Sequence, residues 1–186
     1  MPAIESRVEA CFAELRAQFP DLPLTLLSPL AEGGDQLAAR VALHMGVPLI
    51  AVLPMAREEY ERDFAGAARL AEFHRLLGQA ERVISLPPAA GNEAPPRSDA
   101  ARQIQYAQVG VFLSNHCQVL LALWDGKEGA RLGGTGQVVR FHLTALMPGF
   151  EADSSPAGLL AENENDLVCH IVCSRDRPDG APAAGL

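Results

Sequence analysis

Val119-Leu120-Leu121-Ala122-Leu123-Trp124 is apolar at every position and runs directly into Asp125-Gly126. A segment so short and so uniformly apolar reads as a strand covered on both faces, the kind found inside parallel sheets. The glycine-rich stretch 125–136 follows it, and a helical period then runs over 137–147. Upstream the same alternation recurs. Residues 99–115, with Ile104, Val111 and Phe112, predict a long helix. Residues 83–86 predict a strand closed by Pro87-Pro88. Residues 57–79 are helical, 47–53 are a buried strand, and 35–45 are a helix with Leu37, Val41 and Met45 on its inner face. A short apolar run covers 22–27. Ile4, Val8, Cys11, Phe12, Leu15 and Phe19, spaced three and four apart, predict a first helix that Pro20 ends. Downstream, 148–166 is acidic and irregular, and 167–173 is a last strand. Residues 87–98, rich in proline, alanine and glycine, predict a mobile loop. The expected fold is therefore α/β: a mostly parallel sheet of about five strands flanked by helices in three layers. Residues 1–174 form one domain and 175–186 a disordered tail.

Composition narrows the function. Hydrophobic residues make up 48 % of the 186 and charged residues 20 %, which excludes wholesale disorder. Fifteen basic against twenty-three acidic residues give a net charge of −8, which argues against a protein that neutralises a nucleic-acid backbone. At 5 % aromatics, stacking platforms for single strands are scarce. The longest apolar runs fall short of the ~20 residues of a membrane span. Glu5, Arg7, Glu9, Glu14 and Arg16 rule out a secretory leader in the first twenty residues. Cys11, Cys117, Cys169 and Cys173 lie in apolar segments and read as buried thiols, not a disulfide framework. Those features predict a cytoplasmic protein with no cofactor, no nucleic-acid partner and no membrane contact in this segment.

Ligands of parallel sheets bind beyond the carboxyl ends of the strands, so the loops there carry the functional reading. One is Ser28-Pro29-Leu30-Ala31-Glu32-Gly33-Gly34-Asp35. Gly33 and Gly34 let the backbone approach a ligand closely, and the helix that follows offers free amides to a phosphate or carboxylate. Asp35 is read as the N-cap of that helix or as a ligand contact, two compatible roles. The other is the stretch after Trp124, where Gly133, Gly134, Thr135 and Gly136 make a nest of amides with one hydroxyl at a helix start. It has neither P-loop lysine spacing nor a full dinucleotide fingerprint. Lys127 and Arg131 could add positive charge. Asp125 and Gly126 close the strand, and Asp125 either accepts bonds from ligand hydroxyls or caps the turn.

These residues resemble a known group. Ser28 through Asp35 is similar to the S-G-L-A-x-G-x-D loop of the DNA-processing protein A family. Gly133-Gly134-Thr135-Gly136 is similar to the glycine loop of the lonely-guy (LOG) family. Both belong to the SLOG superfamily of Rossmann-like domains, and the resemblance spans residues 22–173. It is also carried by Ile50-Ala51-Val52-Leu53-Pro54, by Glu59-Tyr60-Glu61-Arg62-Asp63-Phe64 and by Leu121 through Gly126. It implies a Rossmann-like fold that binds a small phosphorylated, nucleotide-like ligand. It also implies that Ser28, Gly33, Gly34, Asp35, Asp125, Gly126, Gly133, Gly134, Thr135 and Gly136 bind it. Three departures bear on activity. The leading strand with its Gly-x-Arg turn is not at the start, so the domain has either lost it or is a fragment of a longer chain. Gln137 and Arg140 stand where LOG enzymes carry a threonine and the catalytic glutamate, and Pro29 replaces a glycine. The resemblance therefore favours a ligand-sensing domain. The alternatives are a phosphoribohydrolase that recruits Glu32, Asp35 or Asp125 as its acid, and an assembly module with a decayed pocket, with a homo-oligomer left open.

Other residues carry less. Cys169 and Cys173 around His170 suggest a metal, but positions four apart on a strand are separated by about 13 Å, too far for one zinc. His116 and Cys117 point apart, as a surface histidine and a buried thiol. Arg57 and Tyr60 either meet a ligand or lie on a helix surface. Glu162 and Glu164, in the acidic stretch, would repel phosphate.

Overall fold

The computed structural model describes residues 2–92, 94–127, 132–151 and 167–173. Helix α1 (Pro2–Gln18) starts with proline at a position where its missing N–H costs nothing, and buries Ile4, Val8 and Phe12 along one face. Strand β1 (Leu26–Ser28) leads into α2 (Gly34–His44), whose Leu37, Val41 and Ala42 pack against that face of α1. Strand β2 (Leu49–Leu53) is followed by a short helix α3 (Arg57–Tyr60), a 3-10 turn over Glu61–Asp63, and α4 (Ala67–Leu77). Strand β3 (Arg82–Ser85), α5 (Asp99–His116), β4 (Val119–Trp124) and α6 (Thr135–Thr144) come next. A two-residue hairpin, β5 (Leu146–Met147) with β6 (Phe150–Glu151), then precedes β7 (Leu167–Val172). β5 takes the last two residues of the expected helix over 137–147 and β6 lies where irregular chain was expected; Gly149, with φ 80°, supplies the turn.

Five strands do run parallel, but not in one sheet. β1-β2-β3 form a parallel three-stranded sheet, and β4-β7 form a parallel pair registered from Val119↔Leu167 to Trp124↔Val172. This corrects the expected sheet of about five strands. β1 and β4 each leave an edge without a partner strand among the described residues. The halves still share a cover: Leu24 and Leu26 of the β1 side, and Leu121, Leu123 and Ile171 of the β4-β7 side, enter one cluster with α1 and α2. α5 packs on the other face of the first sheet through Val109, Phe112 and Leu113. β4 is half-buried at most positions, and β3 exposes 46 % of Val83, so full burial of every strand does not hold. Both depart from it because a strand at an open edge has only part of its surroundings filled.

Gln105 ties these layers together. Fully buried on α5, it donates through Nε2 to the carbonyls of Pro54 (2.6 Å) and Pro87 (3.2 Å), while Oε1 accepts from the amide of Ala89. It thereby satisfies backbone groups beyond the ends of β2 and β3, of which the Pro54 carbonyl and the Ala89 amide are buried. Cys11 of α1 and Cys169 of β7 are joined as a disulfide across 158 positions, where buried thiols had been expected. Sequence order does not show that α1 lies on β7. No helix among the described residues is long and apolar enough to cross a membrane. The expected tail falls outside the described residues.

Candidate ligand-binding site

The two glycine loops follow β1 and β4, at the same end of the two sheets. In the first, Ser28 Oγ is buried and accepts from the Leu30 amide at 3.1 Å, bracing the turn. Leu30, with φ 58°, is itself buried, and Gln36 Nε2 donates to its carbonyl at 3.3 Å. Gly33, with φ 94°, occupies the N-cap position of α2, and no side chain caps that helix end. The cap role expected for Asp35 is thereby corrected: Gly33 alone tolerates the backbone turn, which moves Asp35 into the first helical turn.

Asp35 lies near enough to the buried Tyr60 for its charge to act on it. Desolvation raises its carboxyl from 3.8 to about 6, with the Ala31 amide acting in the opposite direction. Tyr60 is 2 % exposed, packs edge-on against Phe64 and Phe73, and its hydroxyl has no hydrogen-bond partner among the described residues. Burial, then the charges of Asp35, Asp63 and Glu32, push its ionisation well above the usual tyrosine range. Glu32 is engaged: it accepts from the Ala65 amide at 2.8 Å and pairs with Arg69.

In the second loop, Asp125 Oδ1 accepts from the Lys127 amide at 3.1 Å, closing the turn at Gly126, where φ is 80°. This is the turn-capping role among the two considered. Trp124 Nε1 donates to the Lys127 carbonyl at 2.8 Å. The Gly133 backbone, with φ 78°, lies so close to α5 that a Cβ would stand 2.6 Å from the Ala107 nitrogen. Its amide donates to Gln137 Oε1 at 3.0 Å. Gly134 occupies the N-cap position of α6, again with no side-chain cap, and Thr135 is the first helical residue. A Cβ on Gly136 would stand 3.0 Å from the Trp124 ring. Gly133 is therefore required by packing, whatever the loop binds, and a side chain at 136 would press on the Trp124 ring. Arg131 lies outside the described residues, and Lys127 is exposed.

The first loop abuts the end of β4. A Cβ on Gly34, the first residue of α2, would lie 3.3 Å from Leu123 Cβ at the end of β4. Three residues absent from the expected set surround this region. Tyr106, whose backbone touches Gly133, donates its hydroxyl to Asp63 Oδ2. Arg102, one turn earlier on α5, pairs with Asp63 Oδ1 at 2.6 Å and donates to the Glu59 carbonyl at 3.0 Å. The charged 57–64 stretch was the sequence signal for Asp63, but its partners lie about forty positions away.

The remaining candidates take structural roles. Tyr60 belongs to the core and Arg57 pairs with Glu61 at 2.7 Å. His116 is exposed with Nδ1 on the Phe112 carbonyl, while burial pushes the Cys117 thiol up to about 11. Cys169 is engaged with Cys11, and no described group of three His, Cys, Asp or Glu residues could hold a metal. Glu162 and Glu164 lie outside the described residues. No protein-family model matches the chain, and no curated protein matches it.

Proposed function

We propose that this chain is a binding domain for a nucleotide or nucleotide-derived ligand, of the SLOG type and Rossmann-like in plan, which holds a phosphate between two glycine loops. The observation that carries the reading is the pair of helix starts. α2 and α6 both begin at a glycine, at neighbouring strand ends, with no side-chain cap on either. α5, by contrast, is capped by Ser98, whose hydroxyl accepts from the Ala101 amide at 3.1 Å. The third amide of each first turn is taken, Gln36 by the Ala31 carbonyl and Gln137 by the Gly134 carbonyl, so it is the first two amides at the positive end of each helix that suit an anion, and two such ends suit a phosphate. Calorimetry with nucleoside monophosphates tests it. Binding weakened at least tenfold by Gly134→Pro supports the reading, since proline fits the φ of −70° there but removes the Gly134 N–H and adds a ring where the anion would sit. Silence across all common bases removes it.

One observation favours an enzymatic second reading. Cleavage of an N-glycosidic bond needs a carboxylic acid that keeps its proton near neutrality, and Asp35 at about 6 meets that need. Of the acids considered, Glu32 is held by Arg69 and Asp125 by its own turn. Base release from monophosphates that disappears in Asp35→Asn would establish hydrolysis. Binding without release leaves a sensing domain.

A further inference from the structure

Beside the loops, an open cleft of about 660 Å³ runs along the start of α5. That volume is within the usual range for small-molecule sites. Its walls concentrate positive charge in a chain whose net charge is −8. Arg62, Arg97 and Arg102 line it, against Glu59 and Asp63. Arg102 forms the floor. Its side chain is 16 % exposed and is fixed by Asp63, by the Glu59 carbonyl and by the Pro96 carbonyl. Arg62 stands at the rim, 69 % exposed and paired with Glu59 at 2.8 Å. Arg97 is exposed and makes no ion pair with any described residue. Among the described residues, two of the three cations are thus compensated locally and the third is not. Pro95 and Pro96 add a rigid apolar wall with little side-chain entropy to lose on binding.

The cleft and the glycine loops share a post. Asp63 is held on one side by Arg102, in the cleft, and on the other by Tyr106, whose backbone abuts Gly133. Arg102 and Tyr106 are one helical turn apart, about 6 Å along α5. The floor of the cleft and the backbone against which the second glycine loop packs are thus successive turns of one helix.

We infer that the cleft is a second anion subsite of the same binding site, so that the preferred ligand is a nucleotide derivative with two separated anionic groups. This rests on the proposed phosphate site and specifies its ligand class. The first group sits on the amides of α2 and α6. The second is met by the guanidinium groups of Arg97 and Arg62, and the sugar or base between them lies against the proline wall.

The test compares nucleoside 5′-monophosphates with the matching 3′,5′-bisphosphates, for each common base, by calorimetry at low salt. It uses the wild-type chain and the Arg62→Gln/Arg97→Gln double variant. Both side chains are exposed, and unchanged thermal unfolding confirms that the variant is folded. The expected result is a bisphosphate at least tenfold tighter than its monophosphate on the wild type, with that advantage lost in the double variant. Equal affinities on the wild type overturn the inference, as does an advantage that survives the double substitution. In either case monophosphate binding shows that the parent reading stands. Silence with every nucleotide removes the parent reading and the subsite with it.

Discussion

Asp35→Asn provides the sharpest test of the electrostatics at the first loop. Moving a carboxyl from 3.8 to about 6 means that the folded protein resists its ionisation. At 1.36 kcal/mol per pH unit, this destabilises the folded state by about 3 kcal/mol once the group is charged. Between the two values the folded state holds more protons than the unfolded one, so stability falls as pH rises through that window. Below pH 4 both states are protonated and the penalty is absent. Above pH 6 it is present in full. Asparagine keeps the shape, keeps an oxygen for the Ala31 amide, and removes the charge. Asp35→Asn is therefore expected to match the wild type near pH 3.5 and to exceed it by about 2–3 kcal/mol at pH 8. For a chain of this size that is roughly 4–12 °C in Tm. Urea unfolding at pH 3.5, 5, 6.5 and 8 gives the whole curve. A variant less stable than wild type at pH 8, or one with the same gain at every pH, would refute the assignment of a desolvated carboxyl. Proteins keep an unfavourable charge where it serves a site. If Asp35 is such a case, the stabilised variant will bind or turn over nucleotides less well.

The other expectations concern packing and reactivity. Gln105→Leu strands the Pro54 and Pro87 carbonyls and the Ala89 amide without partners, and should cost about 2–4 kcal/mol in urea unfolding. Gly133→Ala places a Cβ 2.6 Å from backbone at a left-handed φ and should cost more than about 3 kcal/mol. Gly126→Ala has a similar φ with nothing within 4 Å, and should cost about 1 kcal/mol. Equal losses would contradict the close approach of the second loop to α5. Cys117, held near 11, should alkylate about a hundredfold more slowly at pH 8 than an unperturbed thiol, read by mass mapping of the labelled peptides.

Periodicity located the helices and strands because it is local. The apolar run 119–124 marks β4 to the residue, and the three-and-four spacing from Ile4 marks α1 to within two residues. Pairing is not local, and it is where expectation and structure part. An all-apolar strand reads as central, yet β4 pairs on one side only among the described residues, because nothing in residues 119–124 states which backbone lies at 4.8 Å. The glycine loops were found from composition, whereas Tyr106–Asp63 and Cys11–Cys169 are separated by 43 and 158 positions and leave no spacing to read. At Gly33-Gly34-Asp35 the usual preference for aspartate at a cap gave the wrong residue. The deciding quantity was a φ of 94°, which glycine alone adopts freely.

The arrangement of charge at this end of the sheets is compatible with both a net −8 and the anionic ligand proposed above. Glu32, Asp35 and Asp63 surround the buried Tyr60 hydroxyl, and a phosphate placed among three carboxylates would be repelled. Two of the three are compensated, Glu32 by Arg69 and Asp63 by Arg102. Asp35 is left, with a carboxyl at about 6 and therefore partly protonated just below neutrality. In that form it can donate to a phosphate oxygen instead of repelling it. In the proposed site the attraction comes from amide dipoles at the two helix starts, which act at contact range and carry no counterions to release. The arginine cleft differs, because exposed guanidinium groups are screened over a Debye length of about 8 Å at physiological salt. Salt should thus separate the two contributions: the monophosphate affinity changes little between low and physiological ionic strength, and the bisphosphate advantage shrinks.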